Sequence, residues 1–267
     1  MDINSANLEK ATNDIIREIL KERSLEAENL TVSLKPASPD KVTQEPAEAG
    51  FDKKLASVME HSMIRPDATA AMVKQFCEEA IKYHFRNVAL APCFVVLAKK
   101  YLAGSGVRVA TAVGFPMGIA TTGMKVAETL EAIENGATEI DLPINIGMVK
   151  AGDYKKVKED MEAVVHASNK RALIKAVIDL GALSAEEIIR LSLLARLAGA
   201  DFLKVAAGSK PGGVTAEDIK LIRMAVGPVI GIKADGGIKD YKSAIAVIEA
   251  GATTIGASGS IKIVSNI

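Results

Sequence analysis

Phe202-Leu203-Lys204-Val205-Ala206-Ala207-Gly208 sets a lysine inside a run that otherwise reads as a buried strand. Val229-Ile230-Gly231-Ile232-Lys233-Ala234 does the same, and an aspartate interrupts Glu139-Ile140-Asp141-Leu142-Pro143-Ile144. Short apolar runs of this kind recur at 57–62, 87–91, 107–113, 139–144, 172–179, 202–206, 229–234 and 253–257. Between them lie stretches with helical periodicity, among them 69–83, 122–134, 153–167, 184–197, 215–226 and 241–250. Ser184 with Glu187 reads as a capping box and Thr215 with Asp218 as a weaker one. Gly136, Gly199 and Gly251 stand at helix exits, each followed by alanine. Eight strand–helix units over residues 51–267 predict an α/β fold, a (β/α)8 TIM barrel. The rival is a doubly wound open sheet. It usually carries a glycine-rich nucleotide turn after its first strand, and this sequence has none there.

Composition agrees with a large α/β core. Of 267 residues, 49% are hydrophobic but only 4% aromatic, so the core is built from Ala, Val, Ile and Leu. The 33 basic and 33 acidic residues cancel, which leaves no long-range field to draw the chain to nucleic acid or an anionic membrane. Recognition of a phosphate then falls to local groups. Cys77 and Cys93 fit no zinc or disulfide spacing, and His61, His84 and His166 are scattered, so no metal site is expected. No apolar run is long enough to span a membrane, and the N-terminus lacks the apolar core of a secretion signal, which points to the cytoplasm.

In such barrels the chemistry sits at the C-terminal ends of the strands. Asp141 falls on strand four, Lys175 and Asp179 on strand five, Lys204 on strand six and Lys233 on strand seven, with Asp235 just beyond. A single lysine at a strand end can simply reach for solvent. Four charged strands in succession point instead to a site. An ammonium crowded by another ammonium in a poorly solvated place gives up its proton more easily, and a neutral amine attacks carbonyls. The expected chemistry is therefore imine formation, with Lys204 and Lys233 on neighbouring strands close enough to influence each other. Two glycine turns follow: Asp235-Gly236-Gly237 after strand seven, and Gly256-Ala257-Ser258-Gly259-Ser260 after strand eight, leading into a short helix at Ile261. Their backbone amides suit a phosphate, or they are ordinary turns. The loop Gly114-Phe115-Pro116-Met117-Gly118 and Asn145 either line a pocket or only make turns.

With these residues in view, 51–267 resembles the deoxyribose-phosphate aldolases. The matching segments are Glu60-His61-Ser62-Met63-Ile64-Arg65-Pro66-Asp67, Gly114-Phe115-Pro116, Glu139-Ile140-Asp141 and Ile144-Asn145-Ile146-Gly147. They continue with Phe202-Leu203-Lys204, Gly212-Gly213, Lys233-Ala234-Asp235-Gly236-Gly237 and Gly256-Ala257-Ser258. The resemblance implies a class I, metal- and cofactor-independent lyase that reversibly cleaves 2-deoxy-D-ribose 5-phosphate to acetaldehyde and D-glyceraldehyde 3-phosphate. It implies Lys204 as the Schiff-base lysine, Lys233 and Asp141 as its catalytic partners, and Lys175 and Asn145 beside the substrate. It also implies Gly208, Gly236, Gly237 and Ser258 around the phosphate, and a homo-oligomer. The chain departs from the family where Val205-Ala206-Ala207 replaces a hydroxyl-rich sequence and Asp235 replaces a small residue. Asp179-Leu180 stands in place of a Glu-Thr pair, and no terminal tyrosine follows. These departures leave open a related Schiff-base aldolase with another small sugar or aldehyde, or a catalytically weakened scaffold.

Ahead of the barrel, residues 1–23 carry an amphipathic helical pattern, with Leu8, Ala11, Ile15, Ile19 and Leu20 on one face. Residues 24–50, with Pro36, Pro39 and Pro46, read as a flexible linker. Together they resemble the encapsulation peptides of bacterial microcompartment cargo, which implies shell proteins as partners through residues 8–20. An oligomerisation helix or an extra barrel cap are the alternatives.

Overall fold

Eight parallel strands pair in chain order and close: β1 (Met59–Met63), β2 (Asn87–Leu90), β3 (Arg108–Ala112), β4 (Glu139–Pro143), β5 (Leu173–Asp179), β6 (Phe202–Ala206), β7 (Gly231–Asp235) and β8 (Thr254–Ala257). The structure is a computed structural model and describes residues 13–15, 17, 18 and 50–266. Around the barrel run α1 (Lys53–Ala56), α2 (Ala70–Lys82), α3 (Val95–Tyr101), α4 (Thr122–Asn135), α5 (Ile146–Lys150), α6 (Tyr154–Ser168), α7 (Ala185–Leu197), α8 (Ala216–Val226), α9 (Tyr241–Glu249) and α10 (Ser260–Val264). The expected (β/α)8 barrel is thus the observed fold. Among the described residues, no helix is long and apolar enough to cross a membrane.

Both expected capping boxes form, at Ser184–Glu187 and Thr215–Asp218. Gly136 ends α4 in the left-handed conformation that favours glycine. Besides α1, two short helices were not among the expected stretches. One is α3, entered through a 3-10 turn at Pro92–Phe94, and the other is α5. Strand seven begins at Gly231 rather than Val229. Arg223 Nη1 holds the Ile230 carbonyl at 2.8 Å, and Val229 is 82% exposed.

Alternation along each strand divides the side chains between two interiors. Ile140, Leu142, Ile174, Ile178, Leu203, Val205 and Ile232 face outward and are buried beneath the helices. Their neighbours face the barrel axis. The register sets Glu60 beside Asn87, Asp141 beside Lys175, and Lys204 beside Lys233. Ala89, Ala110, Ala112, Gly231 and Gly256 occupy other inward positions of that register and leave room for the long charged chains. At the starting end of the strands the Phe202 ring fills the place a side chain on Gly231 would take. The Arg86 guanidinium lies 5.2 Å over that ring. This end of the barrel is therefore plugged.

The described part of the N-terminal segment is helical and lies on the barrel. Ile15 is buried, and Glu18 Oε2 meets Arg190 Nη2 of α7 at 2.7 Å. The remainder of 1–23, and the linker expected at 24–50 apart from Gly50, lie outside the described residues.

A buried ion pair ties the outer layer together. Lys125 of α4, fully buried, meets Asp160 of α6 at 2.6 Å, and Thr122 donates to the other Asp160 oxygen at 2.7 Å. Removing one partner leaves an uncompensated buried charge. Lys125→Met is expected to lower the unfolding free energy by about 3–5 kcal/mol in urea titrations. Lys125→Met with Asp160→Leu should recover most of that loss. A double variant no more stable than the single one would show that the pair is not the joint.

Candidate active site

Lys204 projects from β6 into the barrel. Its Nζ lies 2.8 Å from Asp141 Oδ2 and 2.7 Å from Asp235 Oδ2. Lys233, its neighbour on β7, lies 3.3 Å from the same Asp141 oxygen and 3.5 Å from Asp235, and it pairs closely with Glu60. Lys175 of β5 touches Glu60 Oε2 and Glu139 Oε2, both at 2.7 Å, and Asp141 Oδ1 at 3.3 Å. Asn87 donates to Glu60 at 2.7 Å. Glu139 is held in turn by Arg86 at 2.8 Å and by Arg108 at 3.5 Å. Charges of opposite sign thus alternate from Arg86 and Glu139 at the strand starts to Lys204 and Asp235 toward the strand ends.

Burial resists each of these charges, and the neighbours decide the outcome. For Glu60, burial favours the neutral acid, but Lys175 and Lys233 outweigh it and hold the carboxyl down to about 2. Asp141 is held well below the usual carboxylate range against the same penalty, by Lys175, Lys204 and Lys233. Burial favours a neutral Lys204, but Asp141, Asp235 and Glu60 together raise its pKa well above that of a free lysine. The net direction is upward even with the Lys233 ammonium, expected to lower it, on the same Asp141 oxygen. The charge of Lys233 is taken up by Glu60 and Asp141, so the resting Lys204 faces more carboxylate than ammonium. Its amine becomes a nucleophile only once a proton has been moved away.

The remaining expected residues fall around the strand ends. Lys175 lies deep in the column, beneath Asp141. Asn145 starts α5, its Oδ1 accepting from Met148 N at 3.2 Å. Gly208 has φ +55°, and its α-carbon faces the Asp179 carboxylate so closely that no side chain fits there. Gly236 and Gly237 have φ +96° and +83°, and Gly237 packs backbone to backbone against Gly213. Ser258 is exposed in the turn between β8 and α10. Sequence reasoning had passed over Glu60, Glu139, Asn87 and Arg86 as members of the site. Glu60 and Glu139 carried the signal already used for Lys204, a charge set inside an apolar strand. Among the described residues, no group of three or more His, Cys, Asp or Glu is placed to hold a metal ion.

A (β/α)8 barrel whose axis carries a lysine between two carboxylates toward the strand ends is suited to carbonyl chemistry. Comparison with known proteins agrees. Residues 54–262 match the family described as DeoC/LacD family aldolase. The deoxyribose-phosphate aldolase of Clostridium perfringens (strain 13 / Type A) is 46% identical over 211 residues, covering 79% of this chain and 94% of that one. The enzyme of the same name from Caldanaerobacter subterraneus subsp. tengcongensis is 46% identical over 212 residues, covering 79% and 92%. Among solved structures, the aldolase called QR15 superposes with a TM-score of 0.74 at 31% identity, covering 79% and 94%. The tetrameric deoxyribose phosphate aldolase of Aeropyrum pernix superposes with a TM-score of 0.73 at 28% identity, covering 79% and 90%. The chain belongs to the DeoC/LacD family of aldolases, and it is a lyase.

The Glu60 shift fixes an acid limit. Its folded-state pKa, about 2, lies below the ordinary 4.5, so its pairing stabilises the fold above pH 4.5. That contribution is lost as pH falls from 4.5 toward 2. Glu60→Gln should cost about 3–5 kcal/mol at neutral pH and flatten this part of the acid-unfolding curve. An unchanged slope in the variant would place the acid sensitivity elsewhere.

Proposed function

We propose that the protein is a class I aldolase that reversibly cleaves 2-deoxy-D-ribose 5-phosphate to acetaldehyde and D-glyceraldehyde 3-phosphate through an imine on Lys204. The observation that carries this reading is the Lys204 ammonium between Asp141 and Asp235, with Lys233 on the same Asp141 oxygen. Lys204, as the free amine, adds to the sugar aldehyde, and loss of water gives the iminium. That cation withdraws electrons from the C2–C3 bond. Removal of the C3 hydroxyl proton then breaks this bond, releasing glyceraldehyde 3-phosphate and leaving an enamine. Asp141 handles the protons of this stage, and Lys233 and Lys175 keep it ionised between turnovers. Protonation of the enamine and hydrolysis release acetaldehyde and Lys204. No metal or cofactor takes part in this reading.

The phosphate is assigned to the turns of Gly208, Gly236, Gly237 and Ser258, where positive-φ glycines and the start of α10 present backbone amides. Asn145 completes the polar surroundings, whereas Lys175, expected beside the substrate, is fully buried on Glu60, Glu139 and Asp141 and acts through Asp141. One observation favours a second reading, an aldolase for a neutral sugar or aldehyde. Asp235 is 21% exposed and the Asp179 carboxylate lies against Gly208, so two carboxylates stand near the assigned anion site.

Three further readings concern assembly. The tetramer of the Aeropyrum pernix relative supports a homo-oligomer, as do the exposed Phe115, Met117, Ile119 and Met124 on one loop and the helix that follows. Residues 1–50 precede the family match, and their sequence carries an amphipathic pattern over 1–23 and three prolines over 24–50. We assign them to docking on microcompartment shell proteins through residues 8–20, with the enzyme lying in the cytoplasm inside such a shell. The burial of Ile15 and the pairing of Glu18 with Arg190 of α7 support the alternative of a barrel cap.

Borohydride reduction in the presence of deoxyribose 5-phosphate should leave a mass adduct on Lys204. Lys204→Arg should abolish it, because a guanidinium does not supply a neutral amine. No adduct in the folded wild type would favour a scaffold. Steady-state kcat/KM should be on the order of 100-fold higher for deoxyribose 5-phosphate than for deoxyribose. Equal values would favour the neutral-substrate reading. Removing residues 1–50 should leave turnover within about twofold of the full chain and abolish co-sedimentation with shell proteins. Retained co-sedimentation would defeat the docking assignment.

A further inference from the structure

Lys204 is flanked by two carboxylates, and they differ in kind. Asp141 is 1% exposed and has Lys204, Lys233 and Lys175 within 3.3 Å of its oxygens. Three ammoniums share its oxygens in the resting site, which agrees with its lowered pKa, and its burial sets it behind Asp235 as seen from the open end. Asp235 is the last residue of β7, on the same strand face as Lys233 and one step nearer the open end. It reaches Lys204 Nζ at 2.7 Å and remains 21% exposed. The incoming carbonyl therefore meets Asp235 before Asp141.

The barrel makes room for this carboxylate. Gly256 lies opposite Asp235 in the β7–β8 register. A β-carbon at 256 would come within 2.9 Å of Asp235 Oδ1 and 2.7 Å of Lys233 Cε. The φ of Gly256 is not among the positive ones, so the backbone itself does not require glycine there. The side-chain space it leaves is filled by the Asp235–Lys233 pair.

We propose that Asp235 is a catalytic residue of this aldolase, the proton carrier for making and breaking the imine. The proposal rests on Lys204 being the imine-forming lysine. Asp235 Oδ2 takes one proton from the Lys204 ammonium, which becomes the amine. The nitrogen lone pair forms a C–N bond to the substrate carbonyl carbon. The carbonyl π electrons move to oxygen, and a proton passes from nitrogen to that oxygen to give the carbinolamine. Asp235 then returns its proton to the hydroxyl, the C–O bond breaks, water leaves, and the nitrogen lone pair forms the C=N bond. In sum, an ammonium and an aldehyde give an iminium and water, and Asp235 ends as the carboxylate it began as. Asp141 is left for the later C–C bond step, so the two carboxylates divide the work.

A purely electrostatic role for Asp235 predicts the opposite kinetics. Removing an anion from beside an ammonium favours the neutral amine, which would speed imine formation. The experiment is rapid-quench borohydride trapping of Lys204 in the full-length chain, with acetaldehyde as the probe, from about pH 6 to about pH 9. Asp235→Asn should slow trapping about 100-fold near neutrality, with the deficit shrinking at alkaline pH as hydroxide takes over the deprotonation. Gly256→Ala, whose methyl presses on both the Asp235 carboxylate and the Lys233 stem without removing either charge, should show a loss in the same direction. It also serves as the test if Asp235→Asn does not fold. Trapping at or above the wild-type rate in either folded variant overturns the proposal while leaving the Lys204 imine intact. Failure of the wild type itself to trap acetaldehyde on Lys204 overturns both.

Discussion

The structure depends on the compensation of charge along the barrel axis. Three lysines stand inside this barrel, and each touches carboxylate: Lys175 meets Glu60, Glu139 and Asp141, Lys233 meets Glu60 and Asp141, and Lys204 meets Asp141 and Asp235. A buried charge without a partner is not tolerated, so these side chains are fixed as a set and not singly. The barrel geometry makes the set reachable from the chain. Alternation places every second residue inside, parallel register brings Lys204 beside Lys233, and small inward residues at 89, 110, 112, 231 and 256 leave space for long side chains. The Phe202–Arg86 plug closes one end, and the column therefore meets solvent at the other, where Lys204 and Asp235 stand.

Chemistry follows from the same compensation. A lysine in an apolar barrel with no carboxylate nearby would be neutral and already nucleophilic. Here Asp141, Asp235 and Glu60 outweigh burial and hold Lys204 charged. The resting site stores a proton at the atom that must lose it, and catalysis requires a group that moves this proton. The inner part of the column, Lys175 with Glu60 and Glu139, touches no carbonyl on this account. It keeps Asp141 ionised and in place.

Much of this was legible in the sequence because strands of a barrel are short and their charges stand out against apolar neighbours. Phe202–Ala206 matched its expected strand at both ends, and the helices following Ser184 and Thr215 began where their caps required. Lys204, Lys233, Asp141 and Lys175 were brought together as expected, because alternation and register follow directly from strand order. Glu60 was missed as a partner because pairing across the axis joins it to Lys175, 115 positions away, and Glu139, on the neighbouring strand β4, because a diagonal contact within the register is not a local pattern. The direction of the Lys204 shift was missed for the same reason. The sequence displays which charges exist but not how many carboxylates surround one amine. Val229 was wrongly placed in β7, since β-propensity does not register that Arg223 had claimed the adjoining carbonyl. Gly208 was read as a phosphate contact. It is also required by the Asp179 carboxylate packed against it, a constraint visible only in three dimensions.

The central claim is that this charged column delivers an imine at Lys204 and then moves protons at the carbon next to it. Exchange of the methyl hydrogens of acetaldehyde for deuterium in heavy water, followed by proton NMR, reads both events at once, because it requires the imine and the enamine in succession. Exchange catalysed by the wild-type protein and absent from Lys204→Arg is the predicted result. Exchange that persists in Lys204→Arg, or none in the wild type, would contradict the account.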